Sequence, residues 1–228
     1  MEYVQQVQCQ SPIAAWATWT SDDAVPVLEF IEPMLRRRLS PLAKISLWVA
    51  NQCAHDKNNV RMVYASQHGE IARTTGMLEE IINNQPVSPT AFSMSVLNAS
   101  IGLYSIIHSN TSPATAISAG AETFGFGLLE AHTQLASNPD HPVLFMYADE
   151  PVPDVWQAKS QPSSYALALL LKHDASTHLY WGYSPYEGTA SATTQAQVFA
   201  QNLGSAPAMW AGTQRRWQWH LTSTATRQ

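Results

Sequence analysis

The sequence predicts an α/β protein with a mostly parallel, five-stranded sheet and helices on both of its faces. Three observations predict it. Hydrophobic residues make up 45% of the 228 positions and charged residues only 13%, enough apolar material for a large core. Segments of strand character alternate with segments of helical apolar spacing through the middle of the chain. Val143 to Ala148 (VLFMYA) is apolar without interruption, as expected of a strand covered by helices on both sides. Residues 1–228 read as a single domain, with no internal repeat or low-complexity segment.

The elements follow in order. Residues 2–9 are polar and β-prone, an opening strand, and 13–20 (IAAWATWT) carry Trp16 and Trp19. Asp22, Asp23, Pro26 and Pro33 interrupt the pattern, with a short helical turn expected over 26–31. Ser40-Pro41 supplies an N-cap and a proline at the first helical position, and Leu42, Ile45, Val49 and Cys53 then line one helix face. Asp56 to Asn59 (DKNN) is a turn and Val60 to Ser66 a strand. A helix over 70–83 presents Ile71, Met77, Leu78, Ile81 and Ile82, and QPVSP (85–89) stops it. A third helical region covers 90–110, a short buried strand 114–119 and a fourth helix 122–136. Strands over 165–171 and 177–183 form an antiparallel hairpin. The stretch 189–196, rich in Ser, Thr and Ala, is a loop, 193–203 a short helix, and 216–222 (RWQWHLT) a closing strand.

Composition excludes several functions. Twelve Lys+Arg against 17 Asp+Glu give a formal charge of −5, and no basic tract exceeds Arg36-Arg37-Arg38, a poor basis for nucleic-acid binding. No apolar run is long enough to span a membrane, and the N-terminus has no basic region followed by an apolar one, so a cytoplasmic location is expected. The two cysteines, Cys9 and Cys53, are read as reduced, packed thiols. Eight Trp, eight Tyr and six Phe with so few charges leave an apolar surface that calls for a protein partner.

Familiar chemistry is missing. His55, His68, His108, His132, His141, His173, His178 and His220 form no metal-binding pair, so no metal and no cofactor is expected. Gly120, Gly125 and Gly127 enter a helix after a strand but lack the spacing and the lysine of a phosphate loop. There is no nucleophile elbow of the G-x-S-x-G type, and Ser66 and Ser118 have no evident His partner. An acyltransferase or hydrolase with an unrecognised nucleophile stays open as an alternative, as does a purely structural scaffold.

Residues 88–131 read SPTAFSMSVLNASIGLYSIIHSNTSPATAISAGAETFGFGLLEA. Ser88-Pro89 with Phe92 and SVLNASIG (95–102), then Ser112-Pro113 with ATAISA, then the turn into LLEA and the strand VLFMYADE (143–150), resemble the N-terminal half of a β-ketoacyl synthase of the thiolase superfamily. LRRRLSPLAK (35–44) and VYASQHGE (63–70) extend the likeness, which covers roughly 33–172. The resemblance implies a truncated thiolase-like fold, the ketosynthase N-terminal half. In an active synthase the strand-to-helix corner carries a cysteine, whose thiolate the helix N-terminus favours and which takes an acyl chain from a carrier protein. Here an ungapped count from Pro113 puts Ala121 at that position, and matching the string T-A-x-S puts Ile117 there; neither has sulfur. The resemblance further implies that the half holding both catalytic histidines of a complete synthase is not expected in these residues.

The resemblance therefore points to a chain-length-factor-like subunit, of the shortened kind found in aryl polyene biosynthesis of Gram-negative bacteria. It implies no catalytic residue of its own, an active β-ketoacyl-ACP synthase as heterodimer partner, and contact with acyl carrier protein only indirectly. It further implies that Ala114, Thr115, Ala116, Ile117, Ser118 and Ala119 pair antiparallel with the partner's matching strand. Phe92, Met94, Ser95 and Asn98 would stand near the far end of the partner's acyl tunnel, with Phe92 and Met94 as gates on a growing polyketide-type chain. Trp210, Trp217 and Trp219 would cover the sheet where a complete thiolase has its second half.

Overall fold

The computed structural model describes residues 7–24, 26–54, 58–156, 163–203 and 207–222. The elements are β1 (Val7–Thr20), α1 (Pro33–Arg36), α2 (Pro41–Cys53), β2 (Arg61–Ala65), α3 (Ile71–Ile82), α4 (Pro89–Ser93), α5 (Ala99–His108), β3 (Ala114–Ile117), α6 (Thr123–Ser137), β4 (Val143–Asp149), β5 (Tyr165–Leu171), β6 (Thr177–Pro185), α7 (Gln195–Gln201), β7 (Ala208–Ala211) and β8 (Arg215–Leu221). Local chemistry explains several of their starts. Ser40 accepts the Ala43 N–H ahead of Pro41, Ser88 does the same for Ala91 ahead of Pro89, and Thr194 and Gln197 form a reciprocal capping box on α7.

The strands form one eight-stranded sheet in the order β3-β2-β4-β5-β1-β6-β8-β7. Helices lie on both faces, as expected. Leu144, Met146 and Ala148 of β4 join α2 and α5 in one core, and Val143, Phe145 and Tyr147 join α6 and α7 in the other. All seven residues of β4 are buried.

The sheet differs from the expected mostly parallel, five-stranded one. Only β3, β2 and β4 are parallel; every other pairing is antiparallel. A parallel neighbour needs a long crossover, and the stretches through α3–α5 and through α6 supply one between adjacent strands; the stretches through α1–α2 and through α7 lead to strands that do not lie beside the one they leave. After β4 the chain turns back to pair β5 antiparallel with it, but the hairpin expected of 165–171 and 177–183 does not form: β1 lies between β5 and β6 and pairs antiparallel with both, so those two strands run in the same direction on either side of it. The two expected strands at the N-terminus merge into β1, whose first half pairs with β6 and whose second half pairs with β5. Residues 2–6, Asp56 and Lys57 lie outside the described residues.

Smaller corrections have local causes. The helical turn expected over 26–31 falls instead at α1, because Glu32 accepts the Met34 and Leu35 N–H groups and Pro33 takes the first helical position. The region 90–110 splits into α4 and α5, where the Ser93 and Ser95 hydroxyls bond back to the Thr90 and Phe92 carbonyls. The strand expected to be buried over 114–119 stops at Ile117 and is half-exposed, because it is the edge of the sheet. Strand β7, with its four residues, is too short to stand out in the sequence.

Candidate functional site

The corner between β3 and α6 is closed by its own residues. Gly120 adopts φ +58°, a left-handed turn that glycine adopts without strain. The Ala119 N–H donates to Thr123 Oγ1 at 2.8 Å, and that hydroxyl donates to the Gly120 carbonyl at 2.6 Å. Ala121 is exposed at the bend, and Ile117 is the half-buried last residue of β3. Deeper in α6, the Gly125 N–H donates to Oε1 of the buried Gln195 at 2.8 Å. Backbone donors that would polarise an acyl carbonyl at such a corner are thus partly committed to internal acceptors.

Glu122 follows Ala121 and reaches across to the C-terminal hairpin. Its Oε2 accepts Trp217 Nε1–H at 3.1 Å and Arg215 Nη1–H at 3.3 Å. The Arg215 guanidinium also stands over the Phe126 and Tyr183 rings. A cleft of about 960 Å3 opens beside the corner, with Gln67, Ala119, Ala121, Glu122, Trp210 and Arg215 among its walls. Trp210, Trp217 and Trp219 are all buried, packed with Phe124 and Phe199 in the core on the α6 side of the sheet.

Both cysteines, Cys9 and Cys53, lie away from this corner. Cys53 is fully buried in the core on the opposite face, and burial pushes its thiol up to about 12. Cys9, half-buried on β1, is also raised by burial. Ser11 Oγ lies 3.0 Å from His132 Nδ1, but Ser11 is fully buried and accepts Trp181 Nε1–H, so no substrate reaches it. Ser66 donates to Asp149 and Ser118 to the Gln67 carbonyl. Among the described residues, no three His, Cys, Asp or Glu side chains gather in a metal-holding group, and no helix is long and apolar enough to cross a membrane.

The remaining candidates lie at one edge of the sheet. Phe92 on α4 is 67% exposed, so it is not a core residue of this chain. Met94 packs partly against the first core, Ser95 donates to the Phe92 carbonyl, and Asn98 is exposed at the start of α5 without capping it. Ala114, Thr115, Ala116 and Ile117 form the edge strand, while Ser118 and Ala119 already belong to the turn. Loop residues 66–69 bridge the two groups: Gln67 takes Ser118, and Gly69 lies against Leu97. Sequence reading missed this loop, the Glu122 partners and Gln195, because each contact joins residues far apart in the chain. The visible signals were VYASQHGE (63–70) and the acidic end of VLFMYADE.

Three buried carboxylates meet behind that loop. Asp149 takes Ser66, Gln67 and His68; Glu70 takes Ser40 Oγ–H at 2.7 Å and Arg73 Nε–H at 3.3 Å. Glu150, 7% exposed, is pushed up to about 7, first by burial and then by Glu70 and Asp149, with Arg73 opposing. An acid raised in the folded state favours folding while protonated. Its contribution declines as pH rises from about 4.5 toward 7 and is lost above that. Glu150→Gln should therefore match the parent near pH 4.5 and exceed its stability by about 1–3 kcal/mol near pH 8, measured by urea unfolding at both values.

Comparison with known proteins gives the following. The sequence profile of the beta-ketoacyl synthase N-terminal domain matches residues 9–225. A search of curated protein sequences finds no match. Among solved structures, a chain of the ketosynthase (ApeO) in complex with its chain length factor (ApeC) from Xenorhabdus doucetiae superposes with TM-score 0.78 at 23% identity, covering 92% of this chain and 99% of that one. The ishigamide ketosynthase/chain length factor gives TM-score 0.56 at 16% identity, over 68% of this chain and 49% of that one. A beta-ketoacyl synthase from Burkholderia phymatum gives 0.56 at 11%, over 78% and 55%. The chain thus spans about half the length of the latter two and nearly all of the first. The sheet with its flanking helices is the α/β, thiolase-like fold of these proteins.

Proposed function

This chain belongs to the beta-ketoacyl synthase family through that family's N-terminal domain, and we propose that it acts as a non-catalytic, chain-length-factor-like partner of an active ketosynthase. The observation that carries this reading is Ala121, a methyl group at the strand-to-helix corner where the resemblance expects a thiol. A methyl cannot accept an acyl chain. The match over nearly the whole of a chain from a ketosynthase–chain length factor complex supports the same reading.

The partner would dock on the β3 edge. An edge strand presents unpaired backbone donors and acceptors, ready for an antiparallel strand from another chain. Helix α5 leads directly into β3 and turns an apolar face outward, with Gly102 exposed and Ile106 74% exposed. Phe92, exposed on α4, would then project toward the end of the partner's acyl tunnel and limit the chain by steric exclusion.

Two outcomes test this. The purified chain should show no turnover of acyl-carrier substrates until a ketosynthase is added, and Ala121→Cys should not restore condensation to a complex whose synthase lacks its own cysteine. Turnover by the purified chain alone, measured as product release, would refute the non-catalytic reading, and condensation by the variant would refute the expectation that the chain lacks more than the thiol. In the active complex, Phe92→Ala or Met94→Ala should lengthen the products, read by mass spectrometry. An unchanged distribution in a well-formed complex would favour a plain scaffold.

A further inference from the structure

Asp149 ends the buried strand β4 and is itself 2% exposed. Its Oδ1 accepts Ser66 Oγ–H at 2.7 Å and His68 N–H at 3.1 Å, and its Oδ2 accepts Gln67 N–H at 3.0 Å. Ser66 Oγ in turn accepts Gly69 N–H at 2.8 Å. One carboxylate therefore grips every residue of the loop from 66 to 68 and reaches Gly69 through a single hydroxyl. Bonds to an ionised acceptor are strong and directional, so the loop has one seat.

That loop touches both parts of the edge described above. Gly69 has φ +55°, and a Cβ placed on it would stand 3.3 Å from Leu97 Cδ1 and 3.7 Å from Leu97 Cα. Loop backbone thus lies flush against the link between α4 and α5. Leu97 packs with Met94 against the first core, two residues from Ser95 and next to Asn98. On its other side, the Gln67 carbonyl accepts Ser118 Oγ–H at 3.0 Å, just past the end of β3.

We propose that Asp149 is the positioning residue of the chain-length gate: it holds loop 66–69, the loop holds Leu97, and Leu97 sets where residues 92–98 stand against the partner's tunnel. This rests on the gate role proposed for Phe92 and Met94. Asp149 touches neither the acyl chain nor the partner; it acts through Ser66, Gly69 and Leu97. In Asp149→Asn an amide NH2 would replace one acceptor, leaving at least one loop donor without its partner. Ser66→Ala removes only the relay to Gly69 and the bond to Asp149.

The test uses the full chain in complex with its ketosynthase, with acyl products sized by mass spectrometry. Asp149→Asn and Ser66→Ala should leave the amount of complex unchanged and alter the ratio of neighbouring product lengths by about threefold or more. Leu97→Ala should do the same, and Asp149→Asn should add nothing to it in the double variant, since both act on one line. Should Asp149→Asn fail to fold, Ser66→Ala carries the same expectation. Additive shifts would refute the route through Leu97. Shifts with Phe92→Ala and Leu97→Ala but none with Asp149→Asn or Ser66→Ala would overturn the role of Asp149 alone. Unchanged lengths with Phe92→Ala and Leu97→Ala would remove the gate, and this proposal with it.

Discussion

Gly102→Trp should strongly weaken the proposed complex with a ketosynthase while leaving this chain folded. Gly102 lies on the exposed face of α5, one turn after Ala99 and one before Ile106. A Cβ at Gly102 meets nothing within 4 Å, so an indole there finds open space in the isolated chain. Replacing a helical glycine also favours the helix, by up to about 1 kcal/mol. In a heterodimer built on β3 and α5, the same indole would enter a packed interface. Overpacking there costs about 1–3 kcal/mol, roughly a five- to 150-fold weaker association. Size-exclusion chromatography of the mixed subunits reads the loss, and thermal unfolding of the chain alone confirms that the fold is intact. Full assembly of the variant would place the partner elsewhere.

Trp217→Ala should be among the most damaging single changes to stability. Trp217 is fully buried, stacked at 6.3 Å on Trp181 and on Trp219, with Phe126 edge-on at 5.4 Å and Tyr183 at 4.7 Å. Its ring fills the space in front of Gly125, where a Cβ would come within 2.7 Å, and its Nε1–H satisfies Glu122. Truncation leaves a cavity of indole size and costs about 3–5 kcal/mol. It also removes a donor from a largely buried carboxylate, leaving Arg215 as its partner. Denaturant unfolding measures the loss, with Met209→Ala, 59% exposed, as a control expected within about 0.5 kcal/mol of the parent. The hairpin of β7 and β8 thus closes the core over α6 using aromatic side chains, Trp210, Trp217 and Trp219 among them.

The proposed site is local in part and long-range in part. The count from Pro113 that proposes Ala121 for the corner position needs only the sequence, because the corner is continuous in the chain. Strand β3 and the proposed gate residues Phe92 and Met94 lie in the same stretch, 88–131. The long-range contacts were not legible. Nothing local marks Gln195 as the residue that meets Gly125, or Arg215 and Trp217 as the partners of Glu122. Nor could spacing show that Phe92 faces outward, since exposure depends on what the rest of the chain covers.

By itself the sequence determined what depends on neighbours along the chain: the capped starts of α2 and α4, the uninterrupted strand β4, the absence of sulfur at the corner. Caps, turns and apolar periods act over a few residues, so composition and spacing express them directly. Only the tertiary structure decided the antiparallel majority of the sheet, the half-open position of β3, and the grip of Asp149 on loop 66–69. Strand direction and burial follow from how distant segments share one core, and that balance is struck only when the whole chain has packed.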